Sequence, residues 1–452
     1  MLTAKTFPRV AVVGSSFVGV TTAMALAAHQ IRCVLLDIDT AKVASIRKGK
    51  APFSEPGIDA ALRRALKAKL VRATADIREA YAGASHIVVC VGTPPLPDGT
   101  QDLSFVKAVA KSVGEEVKRR KAGAPLTLIV KSTVVPGTTL GAVRQAVERA
   151  SGKKAGRGFL LASNPEFLKE GSALNDALAP DRIVIGGFDE ASAQSVADLY
   201  PGAACPVILT DPTTAEMVKY AANAFLATKI SFANEFANLC AALGVDWYAV
   251  ADAIGHDARI GRRFLNAGAG FGGSCFPKDL KAIAAAARAA GRPLTIAEAA
   301  LDVNQRQPQE VTRMLEEELG DLQGARIALL GLAFKAGTDD VRESRAILIA
   351  EEAIEAGAEV VGYDPLVRDQ FARVLPLVYR QNFRRARSVD DALKGADAAV
   401  IQTEAPEFSA LSPARVRKLL RRPVVVDARR VLDPQAFRKA GLTYRGIGIG
   451  RK

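Results

Sequence analysis

The sequence of 452 residues contains few of the side chains that build disulfide frameworks and zinc sites. Its five cysteines are scattered, and none of its three histidines lies near a cysteine pair. An odd number of separated cysteines argues against a disulfide framework and for a reducing compartment. A zinc site needs clustered thiols or imidazoles. We therefore expect a cytoplasmic protein without structural disulfides and without a metal.

Long apolar runs are also missing. No run approaches the roughly 20 apolar residues that a membrane-spanning helix needs. Met1 to Pro8 are too few for a secretory signal before the first strand begins. Because 49% of the residues are nevertheless hydrophobic, large cores are available. We expect two or three folded domains and no membrane association.

Acidic residues are fewer than basic ones, and the formal net charge is +13. Such an excess is typical of a protein that binds nucleic acid or an anionic substrate. The basic runs are not interleaved with aromatic residues, as they are in platforms for single-stranded nucleic acid. We therefore attribute the excess to the surface and expect no nucleic-acid partner. A nucleic-acid-binding protein that has kept an inactive enzyme fold is the alternative, and salt-dependent DNA binding would support it.

One segment combines accessible backbone with reactive side chains: Gly270-Phe271-Gly272-Gly273-Ser274-Cys275-Phe276-Pro277-Lys278-Asp279-Leu280. The glycines let the backbone approach a ligand closely. Asp279 lies one helical turn after Cys275, on the same helix face. These features suggest a covalent catalytic site. The segment alone leaves open, with equal weight, a glycine turn followed by a helix with an inert cysteine.

The first strand and helix predict a nucleotide site. The apolar run from Val10 to Val13 is followed by Gly14-Ser15-Ser16-Phe17-Val18-Gly19, an alanine-rich helix and a strand from Ile31 to Leu36 that ends at Asp37. This order is typical of the dinucleotide-binding βαβ unit. The helix N-terminus would hold the pyrophosphate, and Asp37 would bind the ribose hydroxyls, which favours NAD over NADP. Ser16 stands at the fingerprint's middle glycine, where it is able to donate a hydrogen bond but leaves less room.

Further apolar strands each end in small polar or acidic residues, and in an open α/β sheet ligands bind at that edge. These strands are predicted at 86–91, 126–130 and 159–162, and strands at 182–186 and 206–209 complete the first domain. His86, Cys33 and Cys90 fall inside strands, and we interpret them as core residues.

The segment from Thr213 to Leu243 contains neither glycine nor proline. It predicts one helix of about thirty residues, about 45 Å long, that links domains or forms a dimer seam. Lys219 and Asn223 share one face of this helix. A solvated lysine beside a polar neighbour is the better-supported interpretation, and the scarcity of nearby charges leaves a partly buried ammonium open as the alternative.

The remaining chain predicts helices at 280–290 and 296–306, a break at Pro308, and a second α/β unit from Ala325. The second unit lacks the phosphate-binding glycine turn, so we expect a ligand other than a dinucleotide. Lys335, Arg342, Arg429 and Arg430 near its strand ends would suit an anion. The fold class is therefore α/β, with two Rossmann-like doubly wound domains joined by a long central helix, over residues 1–210, 211–310 and 322–452.

Five segments, in chain order, resemble motifs of the UDP-glucose/GDP-mannose dehydrogenase family: 131–134, 164–171, 219–226, 270–280 and 331–344. The resemblance covers essentially the whole chain. It implies NAD-dependent four-electron oxidation of a nucleotide sugar by a homodimer, with a C-terminal domain that binds the UDP-sugar. The motifs around Cys275 and Glu166 are most similar to those of enzymes that act on UDP-glucose. GDP-mannose, UDP-N-acetylhexosamines and, less favoured, two-electron β-hydroxyacid oxidation are the alternatives.

The resemblance also implies roles for individual residues. The implied catalytic residues are Cys275, the nucleophile, with Lys219, Asn223, Asp279, Glu166 and Thr133. The implied NAD-binding residues are Gly14, Ser15, Ser16, Phe17, Val18, Gly19, Asp37, Lys42, Val91, Gly92, Thr93, Pro94, Ser132, Thr133, Glu170 and Arg342. The implied substrate-binding residues are Glu166, Phe167, Leu168, Lys169, Lys219, Asn223, Arg259, Asn266, Gly270, Phe271, Gly272, Phe334, Lys335 and Arg429. Arg259 is implied to reach into the partner subunit's site.

Overall fold

The structure is a computed structural model, and it describes residues 9–120 and 125–450. Met1 to Pro8, for which we expect no export signal, lie outside the described residues. The chain divides into two compact units, one formed by residues up to Ala222 with Lys281–Ala286, and one formed by Asn223–Leu280 with the residues from Ala287 onward. The three-part division expected from the sequence is finer than this and stays a prediction.

The first unit is built on an eight-stranded sheet of order β3-β2-β1-β4-β5-β6-β7-β8. Its strands are β1 Arg9–Val13, β2 Arg32–Leu36, β3 Val71–Thr74, β4 His86–Val89, β5 Thr127–Val130, β6 Leu160–Ser163, β7 Ile183–Gly187 and β8 Val207–Thr210. Neighbouring strands are parallel except β6 and β7, which pair antiparallel. The first six strands therefore have the doubly wound order of a dinucleotide-binding domain.

Helices cover this sheet, and α1 follows β1 after only three residues. The helices are α1 Phe17–Ala28, α2 Thr40–Arg47, α3 Ile58–Lys67, α4 Ile77–Tyr81, α5 Ser104–Arg119, α6 Arg144–Ser151, α7 Ala173–Leu178 and α8 Glu190–Ala197, with a π-helical turn at Thr139–Val143. Val10 and Val12 pack into one buried cluster, and Ala11 and Val13 pack into another. This alternation explains why the strand is apolar throughout, because both of its faces are covered.

Four helices come next in the chain: α9 Pro212–Ala242, α10 Trp247–Gly255, α11 Phe276–Ala289 and α12 Thr295–Leu319. The 31-residue α9 confirms the long helix expected from the sequence. The predicted break at Pro308 is wrong, since Pro308 lies inside α12. Pro308 is buried, and Val311 and Leu315 on the next turn belong to a large core cluster, so packing outweighs the lost backbone hydrogen bond.

The second unit contains a six-stranded parallel sheet of order β11-β10-β9-β12-β13-β14. Its strands are β9 Arg326–Leu330, β10 Glu359–Tyr363, β11 Phe383–Arg385, β12 Ala398–Ile401, β13 Val424–Asp427 and β14 Thr443–Gly446. Its remaining helices are α13 Arg345–Glu355, α14 Gln370–Val374, α15 Val389–Leu393, α16 Pro406–Ser409, α17 Pro413–Leu419 and α18 Pro434–Lys439, with a 3-10 helix at Leu377–Asn382. The strand order repeats that of the first six strands, which confirms two Rossmann-like domains.

Two expectations about chain class can be compared with the described ranges. Within residues 9–120 and 125–450, no helix combines the length and apolar character needed to cross a membrane. All five cysteines are described, and all are thiols rather than disulfides.

His86 is buried, and its Nε2 lies 3.0 Å from both the carbonyl oxygen and the hydroxyl oxygen of Ser195, so its interpretation as a core residue is confirmed.

Candidate active site

The turn between β1 and α1 has the close contacts that a dinucleotide site requires. Gly14 has φ of +97°, and a Cβ there would lie 2.7 Å from the Cys90 carbonyl oxygen. A Cβ on Gly19 would lie 1.8 Å from the Gly14 carbonyl oxygen. The two glycines therefore let α1 begin directly against the sheet edge, with its N-terminal N–H groups free of side-chain caps at Ser16. Phe17 and Val18 form the first turn of α1.

Ser16 does not strain this turn. Its φ is −86° with extended ψ, a conformation open to any residue, and its side chain is exposed. Asp37 follows β2 and is half-buried, and its carboxylate accepts hydrogen bonds from the Ser15 N–H at 2.8 Å and the Asp39 N–H at 3.0 Å. These bonds hold the carboxylate at the sheet edge, and its partial exposure leaves it accessible to a ligand. Lys42 lies on α2, which begins after Asp39.

The loops after β4 and β5 are tied to each other, which brings together several predicted NAD-binding residues. The Ser132 hydroxyl donates to the Val91 carbonyl at 2.7 Å, and the Thr93 hydroxyl donates to the Thr133 carbonyl at 2.9 Å. Gln101, which the sequence analysis missed, is buried and donates to the same Thr133 carbonyl at 3.1 Å. Gly92 and Pro94 lie within the same loop. The Thr133 backbone is thus fixed by two side chains from the neighbouring loop.

A buried ion pair lies in the first unit. Lys219 on α9 donates to Glu166 Oε1 at 2.9 Å, and both side chains are less than a tenth exposed. The buried ammonium, which the sequence left open as the alternative, is therefore confirmed, and the solvated lysine is wrong. Glu166 Oε2 accepts the Leu168 N–H at 2.6 Å, and the Phe167 ring stacks beneath Arg182 at 3.9 Å.

The charge on Glu166 depends on its partners. Burial alone would raise the pKa of Glu166, but the Lys219 ammonium, the Leu168 N–H and the Lys131 ammonium together hold that pKa below its ordinary value. Glu166 is therefore a carboxylate at neutral pH. Its charged form is less stable when the Lys219 ammonium moves away or loses its proton. Such a responsive pair is typical of acid/base sites.

The loop from Asn164 to Gly171 is held by residues that the sequence analysis did not assign to the site. Lys131 donates to Asn164 Oδ1 at 2.9 Å, and Glu55 accepts the Gly171 N–H at 2.7 Å. Lys169 is tied to Asp176 through its N–H at 2.9 Å, and Glu170 is buried. Lys131 was visible as a charged residue directly after an apolar strand. No local pattern around Glu55 could predict its contact with Gly171, because the two residues are 116 positions apart.

Cys275 stands directly before α11 in the second unit, and its carbonyl accepts the Asp279 N–H at 2.9 Å. Asp279 is fully buried, and its carboxylate accepts the Asn223 amide N–H at 2.7 Å and pairs with Lys278. The thiol is partly exposed, with the Ser274 hydroxyl 3.6 Å from Sγ. The helical turn expected between Cys275 and Asp279 is present, and it places a thiol and an ordered carboxylate on one helix end.

The glycines before Cys275 lie against the loop after β9. A Cβ on Gly272 would lie 2.1 Å from the Glu343 carbonyl, and one on Gly273 would lie 2.7 Å from the Phe334 ring. Asn304 on α12 fixes Phe271 by accepting its N–H at 2.6 Å and donating to its carbonyl at 3.0 Å. The segment therefore requires glycine for close backbone approach. Asn304 is a further supporting residue that the sequence analysis missed.

Other predicted substrate residues lie in the same unit. Arg429 donates to the Gly270 carbonyl at 3.4 Å, and the Lys335 ammonium lies 5.7 Å from the Phe334 ring centre. Asn266 accepts from Arg262 at 2.7 Å. Arg259 is exposed and paired with Asp257 at 2.6 Å. Arg342, predicted to bind NAD, also belongs to the second unit, where its guanidinium donates hydrogen bonds to the Asp340 carboxylate.

Two other kinds of reactive group can be compared with this site: clusters of metal-ligating side chains and buried thiols. Across the described residues, no three His, Cys, Asp or Glu side chains are grouped to hold a metal ion. Burial raises the pKa of the Cys33 thiol far above its ordinary value and that of Cys90 to about 12. Both interpretations as unreactive core thiols are therefore supported. Cys275 differs from them in its partial exposure and its place before a helix.

Comparison with known proteins identifies the family. Models of the UDP-glucose/GDP-mannose dehydrogenase family match three ranges of the chain. The NAD binding domain matches residues 8–203, the central domain matches residues 213–306, and the UDP binding domain matches residues 328–434. The chain is 42% identical to UDP-glucose 6-dehydrogenase AglM of Haloferax volcanii, over 96% of this chain and 99% of that one. It is 38% identical to UDP-glucose 6-dehydrogenase TuaD of Bacillus subtilis, over 97% and 93%.

Solved structures agree. A UDP-glucose dehydrogenase from Pyrobaculum islandicum superposes with a TM-score of 0.91 at 40% identity, over 99% of both chains. A UDP-D-ManNAc dehydrogenase from Pyrococcus horikoshii superposes with a TM-score of 0.85 at 31% identity, over 97% of this chain and 99% of that one. With two α/β units, an NAD binding domain and a thiol at the start of α11, the chain belongs to the UDP-glucose/GDP-mannose dehydrogenase family.

Proposed function

We propose that the protein is a UDP-glucose 6-dehydrogenase, which converts UDP-glucose to UDP-glucuronate with two equivalents of NAD. The observation that carries the proposal is the Cys275 thiol, placed before α11 one turn from the buried Asp279. The relatives named UDP-glucose 6-dehydrogenase match nearly the full chain at 38–42% identity, which favours this substrate over its alternatives. The second α/β unit and the thiol disfavour two-electron β-hydroxyacid oxidation.

The thiol explains how a four-electron oxidation is possible. NAD, when bound, would supply the hydride acceptor for both oxidations. The first oxidation leaves an aldehyde, which has no C–H bond ready to give up a hydride until a nucleophile adds. Addition of Cys275 Sγ to the carbonyl carbon forms a thiohemiacetal, and oxidation of that adduct gives a thioester. Water then breaks the C–S bond, releasing the carboxylate and restoring the thiol.

The other roles follow the charges of the side chains. Lys219 and Asn223 stabilise the alkoxide and the tetrahedral oxyanions, because both present N–H donors. Glu166 is the acid/base group for thioester hydrolysis, with its carboxylate poised by Lys219. Asp279 and Thr133 hold water or exchange protons.

The first unit fits NAD. The glycine contacts at Gly14 and Gly19 leave the α1 N-terminus open for a pyrophosphate, and the half-buried Asp37 suits ribose hydroxyls. The remaining contacts to NAD are proposed for Ser15, Ser16, Phe17, Val18, Lys42, Val91, Gly92, Thr93, Pro94, Ser132, Thr133, Glu170 and Arg342.

The nucleotide sugar is proposed to bind through the basic, aromatic and loop residues that the family resemblance implies. The residues are Glu166, Phe167, Leu168, Lys169, Lys219, Asn223, Arg259, Asn266, Gly270, Phe271, Gly272, Phe334, Lys335 and Arg429. Cationic side chains among them match the diphosphate, and the Phe334 ring offers an apolar face.

The protein is further proposed to act as a cytoplasmic homodimer. Six large apolar residues on or just after α9 are 40% or more exposed and recur at helical spacing: Met217, Phe225, Phe232, Phe236, Leu239 and Leu243. An apolar stripe of this size on a helix favours burial against another chain. We expect Leu239→Lys to convert a dimer to a monomer in light-scattering measurements, and activity to fall because Arg259 then lacks a partner site. An unchanged mass would contradict the proposed seam.

The test of the function is a panel of UDP-glucose, UDP-N-acetylhexosamines and GDP-mannose, each with NAD and NADP, assayed by NADH or NADPH absorbance. We expect UDP-glucose with NAD to have the highest kcat/KM. Cys275→Ser is expected to produce far less acid in the steady state, because an unactivated serine hydroxyl is a much weaker nucleophile toward the aldehyde than a cysteine thiol. Normal acid production by this variant would refute the covalent route, and preference for another sugar would refute the substrate.

A further inference from the structure

The segment between α2 and α3 contains a buried carboxylate that is not among the residues with a role in the reaction. Glu55 is 7% exposed. Its Oε2 accepts the Gly171 N–H at 2.7 Å and its Oε1 accepts the Ala173 N–H at 2.7 Å. Because each oxygen accepts its own short bond, the carboxylate fixes both the position and the direction of the backbone that it holds.

The segment that carries Glu55 is itself stiff. Pro56 restricts the backbone of Glu55 to the extended region. Gly57 comes next with φ of +77° and precedes α3 as its N-cap residue. Asp59 on α3 accepts the Ala51 N–H at 2.8 Å, which closes residues 51–59 into a compact loop. The backbone that carries Glu55 is therefore held by its own contacts, independently of the Gly171 and Ala173 backbone that Glu55 binds.

The backbone held by Glu55 is the end of the loop that contains the proposed acid/base group. Gly171 has φ of +84°, and Ala173 is the first residue of α7. Ser172 precedes α7 without making a side-chain cap bond, so a residue more than a hundred positions away supplies the acceptor at this helix start. Glu166 and Glu170 lie in the five residues before Gly171, within reach of any shift at that point.

The opposite side of the same segment contacts the NAD turn. The Phe53 ring packs edge-on against the Phe17 ring, with centres 5.5 Å apart. Phe17 is the first residue of α1. Residues 51–57 thus touch the start of the pyrophosphate-binding helix through Phe53 and the acid/base loop through Glu55.

We propose that Glu55 is a positioning residue, which holds the loop of Glu166 and Glu170 in its working place relative to the NAD turn. The proposal rests on the function proposed above, in which Glu166 promotes thioester hydrolysis. Displacing such a group by about 1 Å lowers a rate by as much as a hundredfold. Loss of Glu55 therefore slows hydrolysis, while both oxidations that precede hydrolysis continue.

The test is stopped-flow measurement of NADH with Glu55→Gln. The amide keeps one acceptor and turns an N–H donor toward the other backbone N–H. We expect a rapid burst of two NADH per active site, followed by a steady-state rate at least about tenfold below that of the wild type. A steady-state rate within twofold of the wild type overturns the proposal. A burst that shrinks in proportion to the rate also overturns it, because the oxidations are then impaired as much as hydrolysis.

Two variants separate positioning from folding. Asp189→Ala removes the cap of α8, where Asp189 accepts the Ser192 N–H at 2.7 Å, and is expected to lower the melting temperature without a burst. Glu55→Asp keeps the charge with a shorter reach and is expected to fall between Glu55→Gln and the wild type. A larger defect in Glu55→Asp than in Glu55→Gln would contradict the proposal.

The wild-type protein provides a test that needs no variant. Amide exchange at Gly171 and Ala173 is expected to be at least about a hundredfold slower than in an unprotected peptide, since both N–H groups are bonded to a buried carboxylate. Exchange at the unprotected rate overturns the proposal even if every variant fails to fold. The proposed function fails separately, if the wild type forms one NADH per sugar at exhaustion.

Discussion

The two α/β units share one strand order but differ in the segment after their first strand. In the first unit, three residues separate β1 from α1, whereas residues 331–344 separate β9 from α13 in the second. Gly14 and Gly331 are equivalent, each with positive φ and no room for a Cβ beside the neighbouring strand end. Only the first unit then continues into a helix N-terminus. In the second unit, a longer loop with other contacts therefore lies where the first unit has an open helix N-terminus.

The acidic residue after the second strand differs in the same way. Asp37 is half-buried and accepts two backbone N–H groups. Asp364 is 5% exposed and accepts four, from Leu332, Ala333, Leu366 and Val367 at 2.9–3.1 Å. One topological position thus holds an accessible carboxylate, proposed to bind a ligand, in the first unit and a carboxylate that stabilises the fold in the second. The same residue type at the same place does not imply the same role.

The largest expected effect is on stability in the second unit. Asp364→Ala leaves four backbone N–H groups without their acceptor, at about 1 kcal/mol or more each. We expect the free energy of unfolding to fall by about 4 kcal/mol, measured by urea denaturation. Asp37→Ala is the matched control at the equivalent position and should lose much less, because water reaches that carboxylate. Equal losses in the two variants would refute the comparison.

A pH-dependent effect is expected in the first unit. Lys219→Met removes the ammonium that holds down the pKa of Glu166, so burial raises that pKa above its ordinary 4.5. The wild-type pair stabilises the fold above about pH 4.5, and that contribution is lost as the pH falls through the lowered pKa. We expect the variant to be less stable than the wild type by about 3 kcal/mol near pH 8, with the difference shrinking toward pH 4.5 as Glu166 takes up a proton.

The control for this prediction is Lys229→Met. Lys229 also lies on α9, but its ammonium donates to the carbonyl oxygens of Ile260 and Gly261 at 2.9 and 3.2 Å. Its loss of stability should not change between pH 4.5 and 8, measured by thermal denaturation. A Lys219→Met difference that is equally flat would show that Glu166 does not depend on Lys219.

A smaller effect is expected for cofactor choice. Asp37→Ala removes the acceptor for the ribose hydroxyls and should raise the KM for NAD about tenfold, the equivalent of 1.4 kcal/mol. It should also raise kcat/KM for NADP relative to NAD, because the carboxylate no longer repels a 2′-phosphate. Steady-state kinetics with both cofactors measure these ratios. A KM for NAD within twofold of the wild type would remove Asp37 from the ribose site.

The smallest effect is expected at Ser16. Because its backbone is in an ordinary extended conformation and its side chain is exposed, Ser16→Gly should change the KM for NAD by less than about threefold. Gly19→Ala is the opposite control, since its Cβ would lie 1.8 Å from a carbonyl oxygen, and it should abolish NAD binding. A large gain in affinity for Ser16→Gly would show that the serine crowds the pyrophosphate.

Local patterns allowed much of the fold to be predicted. Short apolar strands such as β1 and β9 are buried on both faces, and the uninterrupted α9 has no breaker residue. Local patterns did not predict the short strands β3, β11 and β14, each of which lies at an edge of its sheet. Edge strands need no continuous apolar run. The error at Pro308 has a similar origin, since the packing that tolerates a proline inside α12 comes from distant residues.

In the candidate site too, local spacing predicted some contacts and only the fold shows the others. Cys275 and Asp279 are four residues apart, so helical spacing predicted their common placement. Asn223 and Asp279 are 56 residues apart, and no local pattern predicts their hydrogen bond. Glu55 is the extreme case, because the segment that it holds lies 116 residues away. Residues that act on a substrate occur in recognisable motifs, whereas residues that position them are found only through the fold.

The central claim is that one thiol allows a single site to carry out two oxidations. Its direct test is the amount of NADH formed when a limiting, weighed quantity of UDP-glucose is exhausted in excess NAD. The account predicts two NADH per sugar, with UDP-glucuronate as the product and no accumulated aldehyde. One NADH per sugar would contradict it.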